Sequence, residues 1–232
     1  MDLVKEVARA GKPTIVVLVN GRPPAIGWIV DNTPAILESW MGGTESGNAF
    51  ADVLFGDVNP GGKLPVTFPR VTGQVPIYYN HLNTGRPPEA TNRYTSKYFD
   101  APWTPQFPFG FGLSYTQFKI SNVAISATQI TPSGTLRVTA DVENTGKRAG
   151  DEVVQLYVRD VAASIARPVK ELKGFQRVTL QPGQKRTVEF VLRPEHLGFY
   201  NHDMKFVVEP GEFRVMIGSN SQDVIEKTFE VR

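Results

Sequence analysis

Few residues in this sequence have the types and spacing that chemistry requires. Glu45, Asp52 and Asp57 are carboxylates spread along one short stretch. Two carboxyl groups held close together can divide the roles of acid and base. Asp52 follows Glu45 by seven positions, which on one helix is two turns, or about 10 Å. That is too far for a cooperating pair on a rigid helix. A plainer role for Glu45 is a first-turn carboxylate, worth about 0.3–1 kcal/mol against the helix dipole. A second group is Tyr78, Tyr79, His81, Asn83, Arg86, Arg93, Tyr94, Tyr98 and Trp103. Aromatic faces mixed with planar hydrogen-bonding groups suit a sugar, and Tyr79, His81, Asn83 and Arg86 are the candidate contacts along with Glu45. The same aromatics could instead pack a crossing strap onto its neighbours. The histidines at 81, 196 and 202 fall in no metal-ligand spacing, and there is no cysteine, so no metal site is expected. His196 and His202 read as surface residues, and Lys63 as a bridge to backbone carbonyls.

The elements that must position these residues change character along the chain. Asp2 to Ala10 has Leu3, Val4, Val7 and Ala8 on one helical face. Gly11-Lys12-Pro13 ends that helix, and Thr14 to Val19 is a continuous apolar run, as in a strand buried on both faces. Pro23 and Pro24 start a short helix through Trp28 to Val30, and Ala35 to Trp40 is the next candidate strand. A further helix follows, capped by Thr44 or Ser46, with Ala49, Phe50, Val53 and Leu54 as its apolar stripe and Gly56 as its stop. Asn59, Pro60, Gly61 and Gly62 then turn the chain into an extended segment, Leu64 to Phe68. This alternation is that of an α/β layer, but two strands fall short of the usual five or six of a sheet.

Residues 70–107 show neither period and contain Pro76, Pro87, Pro88, Pro102 and Pro105. Loops above about 15 residues are uncommon unless they have a function. From Phe118 the period becomes two. Leu136, Val138, Ala140 and Val142 alternate with polar residues, as do Val154, Leu156 and Val158, then Val188, Phe190 and Leu192, then Phe213, Val215 and Ile217. Turn signals at Asn144-Thr145-Gly146, Gln181-Pro182-Gly183 and Glu209-Pro210-Gly211 separate these runs. About seven short strands punctuated this way describe a β-sandwich.

The stretch GGTESGNAFADVLFGDVNPGGKLPVTFP, from Gly42 to Pro69, resembles a segment of family-3 glycoside hydrolases that lies late in their second domain. YYNHLNTGRP and PFGFGLSYTQF are similar to the periplasmic β-glucosidase branch of that family. NTGKRAGDEVVQLYVRD, RPVKELKGF and LQPGQK are similar to its fibronectin-like final domain. The resemblance implies a fold class of α/β plus all-β: the end of an α/β sandwich domain with an incomplete sheet over 1–69, a linking loop over 70–117, and a fibronectin type III-like sandwich over 118–232. It also implies a retaining hydrolase whose two carboxyl groups stand about 5 Å apart. In the family the nucleophile is an aspartate on an N-terminal TIM barrel, in a serine-aspartate-tryptophan context. Here the tryptophans follow Gly27, Ser39 and Pro102. The family's acid glutamate precedes the strand matching Thr14–Val19. No catalytic residue is therefore assigned to this chain. It is expected to be the C-terminal portion of a β-glucosidase, inactive alone, needing no cofactor and partnered by the barrel and a β-glucoside or oligosaccharide. A stand-alone carbohydrate or cell-wall binding module, or a structural module for a partner chain, is the alternative.

Composition narrows the partners. A chain of 232 residues with 41% hydrophobic and 21% charged residues is ordinary for a globular protein. A net charge of +2 without a basic block argues against nucleic acid. No run approaches the roughly 20 apolar residues of a membrane helix. Met1 to Glu6 already has an amphipathic pattern, so no signal peptide is read there and the chain is expected to begin within a fold. A periplasmic or secreted location follows from the resemblance alone. The open sheet edge makes self-association an expectation.

Overall fold

The computed structural model describes residues 2–232. Its first elements are α1 (Asp2–Arg9), β1 (Ile15–Leu18), α2 (Gly27–Asn32), β2 (Ala35–Glu38) and α3 (Ser46–Phe55). β1 and β2 pair in parallel, from Ile15 opposite Ala35 to Leu18 opposite Glu38. Among the described residues they have no further strand partner. Among the described residues, only Ile26, Ile29 and Phe68 are buried apolar residues in this part, with Val4, Val16, Leu18, Ile36, Trp40, Leu64 and Phe107 half-buried around them. Neither α1 nor α3 contains a buried residue. Leu3 of α1 is 77% exposed and Phe55 of α3 is 86% exposed. Apolar faces this open are uncommon in a sheet that parallel pairing normally covers on both sides.

The start of α3 differs from expectation. Glu45, not Thr44 or Ser46, is its N-cap, and no side chain closes the cap. The turn before α3 is tight at Gly42, where a Cβ would lie 2.6 Å from the Cβ of Ser46. At the other end Gly56 is left-handed with φ 87°, and its N–H bonds the carbonyls of Asp52 and Val53, as a glycine terminator does.

After α3 the chain makes a closed loop. Phe68 N–H donates to the Phe107 carbonyl at 2.9 Å, and Leu64 N–H donates to the Phe111 carbonyl at 2.8 Å. The extended segment expected over Leu64–Phe68 therefore pairs with the returning chain, through an isolated bridge between Phe68 and Phe107. Buried Gln74, at the end of the 3-10 turn Thr72–Gln74, ties the neck. Its Oε1 accepts from Arg70 N–H at 2.6 Å and its Nε2 donates to the Pro102 carbonyl at 2.7 Å.

The remainder is a two-sheet sandwich with α4 (Pro194–Leu197) inserted. Its strands are β3 (Phe118–Ile125), β4 (Gln129–Ile130), β5 (Leu136–Asn144), β6 (Gly150–Asp160), β7 (Glu171–Leu180), β8 (Lys185–Leu192), β9 (Phe199–Tyr200), β10 (Phe206–Val207), β11 (Gly211–Gly218) and β12 (Val224–Val231). One sheet has five strands in the order β4-β12-β11-β6-β7, the other three in the order β3-β5-β8, and β9 and β10 form a small hairpin. The alternating residues meet in one core that includes Leu136, Val138, Val142, Leu156, Phe190, Phe213 and Ile217. β6 breaks the alternation: Gln155 and Tyr157 are buried as well as Val154, Leu156 and Val158. The linking loop lies over that outer face.

Candidate functional site

The residues of chemical interest gather along the seam between the α/β segment and the sandwich. Lys63, in the segment that follows α3, places its Nζ 2.8 Å from Glu152 Oε1 on β6, with side chains only 13% and 7% exposed. Glu152 Oε1 also accepts from the Val153 N–H at 2.8 Å. Lys63 was expected to bridge carbonyls; the Gly112 carbonyl is a second acceptor at 3.5 Å, but the carboxylate is the main partner. Asn59 works beside it. Its Nδ2 donates to the Ala149 carbonyl, and its Oδ1 accepts from Ser114 Oγ and Tyr115 N–H, all at 2.8 Å. Arg148 donates to the Gly56 carbonyl at 2.7 Å, placing a cation at the C-terminal end of α3, where the helix dipole favours one.

Tyr79 stacks on Phe109 with centroids 4.4 Å apart and meets Tyr157 edge-on at 5.6 Å. Its hydroxyl accepts from Leu172 N–H at 3.3 Å. Tyr157 in turn donates to Gln155 Oε1, and Gln155 Nε2 donates to the carbonyls of Gly110 and Ser219 at 3.1 and 2.7 Å. Gly110, with φ 80°, lies so close that a Cβ would sit 2.0 Å from Gln155 Oε1. Burial of the Tyr157 phenol holds its pKa well above the ordinary value. This column of rings fastens the loop to the outer face of the sandwich.

The other candidates are spread out. His81 is exposed; its ring Nδ1 is 3.0 Å from the Leu82 carbonyl, and its own carbonyl accepts from Val169 N–H at 2.9 Å. Leu82 forms a bridge with Pro168. Asn83 is exposed at the edge of a small cavity against the sandwich. Arg86 is exposed, and its carbonyl accepts from Ser96 N–H at 2.8 Å. Glu45 is exposed, with Oε2 accepting from Asn48 Nδ2 at 2.6 Å. The hydrogen bonds of Glu45 stay within α3, so the structure brings His81 and Asn83 together along one edge but does not join Glu45 to them. His196 is half-buried and accepts the Arg193 N–H through Nδ1 at 2.9 Å, whereas His202 is exposed.

Two groupings go beyond the sequence reading, although Arg93, Tyr98 and Trp103 already stood in its aromatic group. One is an open depression of about 510 Å³ lined by Arg93, Lys97, Tyr98, Phe99 and Trp103. Arg93 lies 5.4 Å over the Phe99 ring and Lys97 lies 5.5 Å over Trp103, so cations already occupy ring faces on which a sugar could stack. The other is Asp160, 7% exposed. It sits opposite Phe213 in the register that also pairs Val158 with Val215 and Leu156 with Ile217. A carboxylate continuing the inward set Val154, Leu156, Val158 was the signal available in the sequence. Among the described residues no group of three or more histidine, cysteine, aspartate or glutamate side chains could hold a metal ion.

Residues 1–115 match the glycosyl hydrolase family 3 C-terminal domain, and residues 152–221 match a fibronectin type III-like domain. The chain belongs to glycoside hydrolase family 3, as part of its C-terminal region. It is 52% identical over 232 residues to a periplasmic β-glucosidase of Salmonella typhimurium, covering 99% of this chain and 30% of that protein. It is 50% identical over 221 residues to a β-xylosidase of Formosa agariphila, covering 95% of this chain and 30% of that protein. The crystal structure of a β-glucosidase from Listeria innocua in complex with isofagomine superposes with a TM-score of 0.95 at 45% identity, covering 99% of this chain and 32% of the other. The chain thus spans about a third of the length of the relatives it matches.

Proposed function

We propose that this chain is the C-terminal portion of a retaining β-glucosidase that removes terminal non-reducing β-glucosyl residues, and that it has no activity alone. The observation that carries the proposal is the open α/β segment. Among the described residues β1 and β2 have no further strand partner, and α1 and α3 have no buried residue, while the relatives are some three times longer. In this reading further strands and a TIM barrel cover those faces and bring the nucleophile and acid. Binding without those two groups cannot stabilise the transition state. The chain divides at 1–69, 70–117 and 118–232, with the loop acting as a strap. Glu45, Tyr79, His81, Asn83 and Arg86 are its candidate substrate contacts, with Tyr79 positioned by the strap rather than by sugar. A periplasmic or secreted location is supported by the Salmonella relative. A β-xyloside is the second substrate reading, favoured by the Formosa relative.

The test is co-expression of this chain with the N-terminal remainder of the Salmonella enzyme. Hydrolysis of nitrophenyl β-glucoside that requires both pieces supports the proposal. Stable, soluble complexes that show no hydrolysis of either the glucoside or the xyloside would overturn it.

A further inference from the structure

The depression of about 510 Å³ on the linking loop has a wall that includes Arg93, Lys97, Tyr98, Phe99, Asp100 and Trp103. The loop holds its own shape there. Ser96 N–H donates to the Arg86 carbonyl at 2.8 Å, Glu89 N–H donates to Thr95 Oγ1 at 3.2 Å, and the Tyr98 hydroxyl donates to the Gly73 carbonyl at 3.0 Å. Lys97 Nζ donates to the carbonyls of Glu89 and Ala90, which are neutral acceptors. Neither Lys97 nor Arg93 has an ion pair with a carboxylate among the described residues. Each cation instead rests on a ring, Arg93 at 5.4 Å from the centroid of Phe99 and Lys97 at 5.5 Å from that of Trp103. A ring face positions a cation without neutralising it. Arg93 and Phe99 are both exposed, so the charge and the ring are open to a ligand together.

The geometry points to a binding site on this loop for an acidic oligosaccharide, one whose chain carries a uronate. Its carboxylate pairs with the Arg93 guanidinium, whose planar fork of donors matches a carboxylate, and Lys97 adds a second positive charge. Charge sets the class. Two cations in the wall face one carboxylate, Asp100, so the depression favours an anion. A neutral sugar could stack only by displacing Arg93 or Lys97 from its ring, whereas an anion leaves both cation–ring contacts in place. Asp100 in the same wall accepts from sugar hydroxyls but repels a run of acidic side chains, which favours a sugar acid over an acidic peptide. A nucleic acid is disfavoured because the chain, with a net charge of +2, has no basic block to engage successive phosphates. The volume falls within the roughly 300–1,000 Å³ of ligand sites, and the depression is open, so the ligand is not limited to one ring. This site does not depend on the hydrolytic reading.

The test is titration of the 232-residue chain with trigalacturonate, followed by tryptophan fluorescence. Trp103 lies in the wall of the depression, whereas Trp28 and Trp40 belong to the α/β segment. A saturable change with Kd of about 0.1–1 mM is expected, the scale of a weak open site. Binding should weaken about threefold or more as NaCl rises from about 0.05 to 0.3 M, because exposed charges are screened. Arg93→Gln, at an exposed position that leaves the fold intact, should weaken it about tenfold or more. Trp103→Phe should remove the fluorescence change, and neutral cellotriose should produce none. Absence of a saturable change overturns the proposal. So does a response that survives Trp103→Phe, binding unaltered by Arg93→Gln, or a cellotriose response of equal strength. Triglutamate binding more tightly than trigalacturonate would overturn it in favour of an acidic peptide.

Discussion

Replacing Lys63 by methionine tests how the two halves of the chain are joined. The ion pair with Glu152 is buried on both sides, and removing one partner of such a pair typically costs about 3–5 kcal/mol, because the remaining charge is left without compensation. Glu152 keeps its bond from the Val153 N–H, which places the expected loss for Lys63→Met near the lower end, about 3 kcal/mol. With a urea m-value of about 1–3 kcal/mol/M, the midpoint should fall by roughly 1–3 M. The protein supplies its own reporter. All three tryptophans, Trp28, Trp40 and Trp103, precede the sandwich, so fluorescence follows the α/β segment and loop, while far-ultraviolet circular dichroism is dominated by the strands. In the parent chain the two signals should unfold together. In Lys63→Met the fluorescence transition should move to lower urea and separate from the dichroism transition. Adding Glu152→Leu should restore most of the loss, since it removes the orphaned charge. A shift below about 0.3 M with coincident transitions, or a double variant weaker than the single one, would refute the reasoning.

Other variants probe other joints. Asn144 is fully buried; its Nδ2 donates to the carbonyls of Arg148 and Leu180, and its Oδ1 accepts from Thr116 Oγ1 and Gly146 N–H. Asn144→Ala strands several of these groups at about 1–3 kcal/mol each, so a measured loss below about 2 kcal/mol in urea unfolding would contradict that role. Gly112→Ala should destabilise the seam, because the new Cβ would lie 2.3 Å from the Gly62 carbonyl oxygen; an unchanged Tm would argue against that close approach. Burial pushes Asp160 up to about 6 from an ordinary 3.8, against the opposing effects of Arg167 and the Ala162 N–H and with help from Glu209 and Glu171. The folded state thus holds this proton more tightly than the unfolded chain does, and Asp160 loses stability as pH rises from about 4 to about 6. Asp160→Asn does not titrate. Its stability relative to the parent should therefore improve across that window, and a flat or reversed difference in Tm would exclude the shift.

Much of this architecture could be read from the chain because it is local. The alternation of Leu136, Val138, Ala140 and Val142 assigned faces correctly, since a strand with one wet side shows its period directly. The apolar run at Thr14–Val19 and the glycine at 56 likewise marked a strand and a helix end, but the strand expected to be buried on both faces has no buried residue, since β2 is its one strand partner among the described residues and Ile15 is 51% exposed. The two-residue strand β4 was too short to leave a pattern. The rest depends on contacts distant in sequence. Gln155 and Tyr157 occupy positions that alternation gives to solvent, and they are buried because Tyr79, Phe109 and Gly110 lie over them. Lys63 finds Glu152 across the seam, and no spacing rule relates the two. Glu45 was expected in the first turn of α3 behind a hydroxyl cap, and it is instead the N-cap itself, with no side chain closing the cap. Asp160 was legible in principle, as a carboxylate in line with Val154, Leu156 and Val158; the significance of that break comes only with Arg167 on the facing loop.

The central claim is that the chain contributes structure, and not the reacting carboxylates, to a family-3 hydrolase. The most direct measurement is nitrophenol release from nitrophenyl β-glucoside by the purified 232-residue chain. No turnover above buffer is expected, and Glu45→Gln should leave that baseline unchanged. Turnover that survives repurification and disappears in Glu45→Gln would place the active site on this chain and contradict the account.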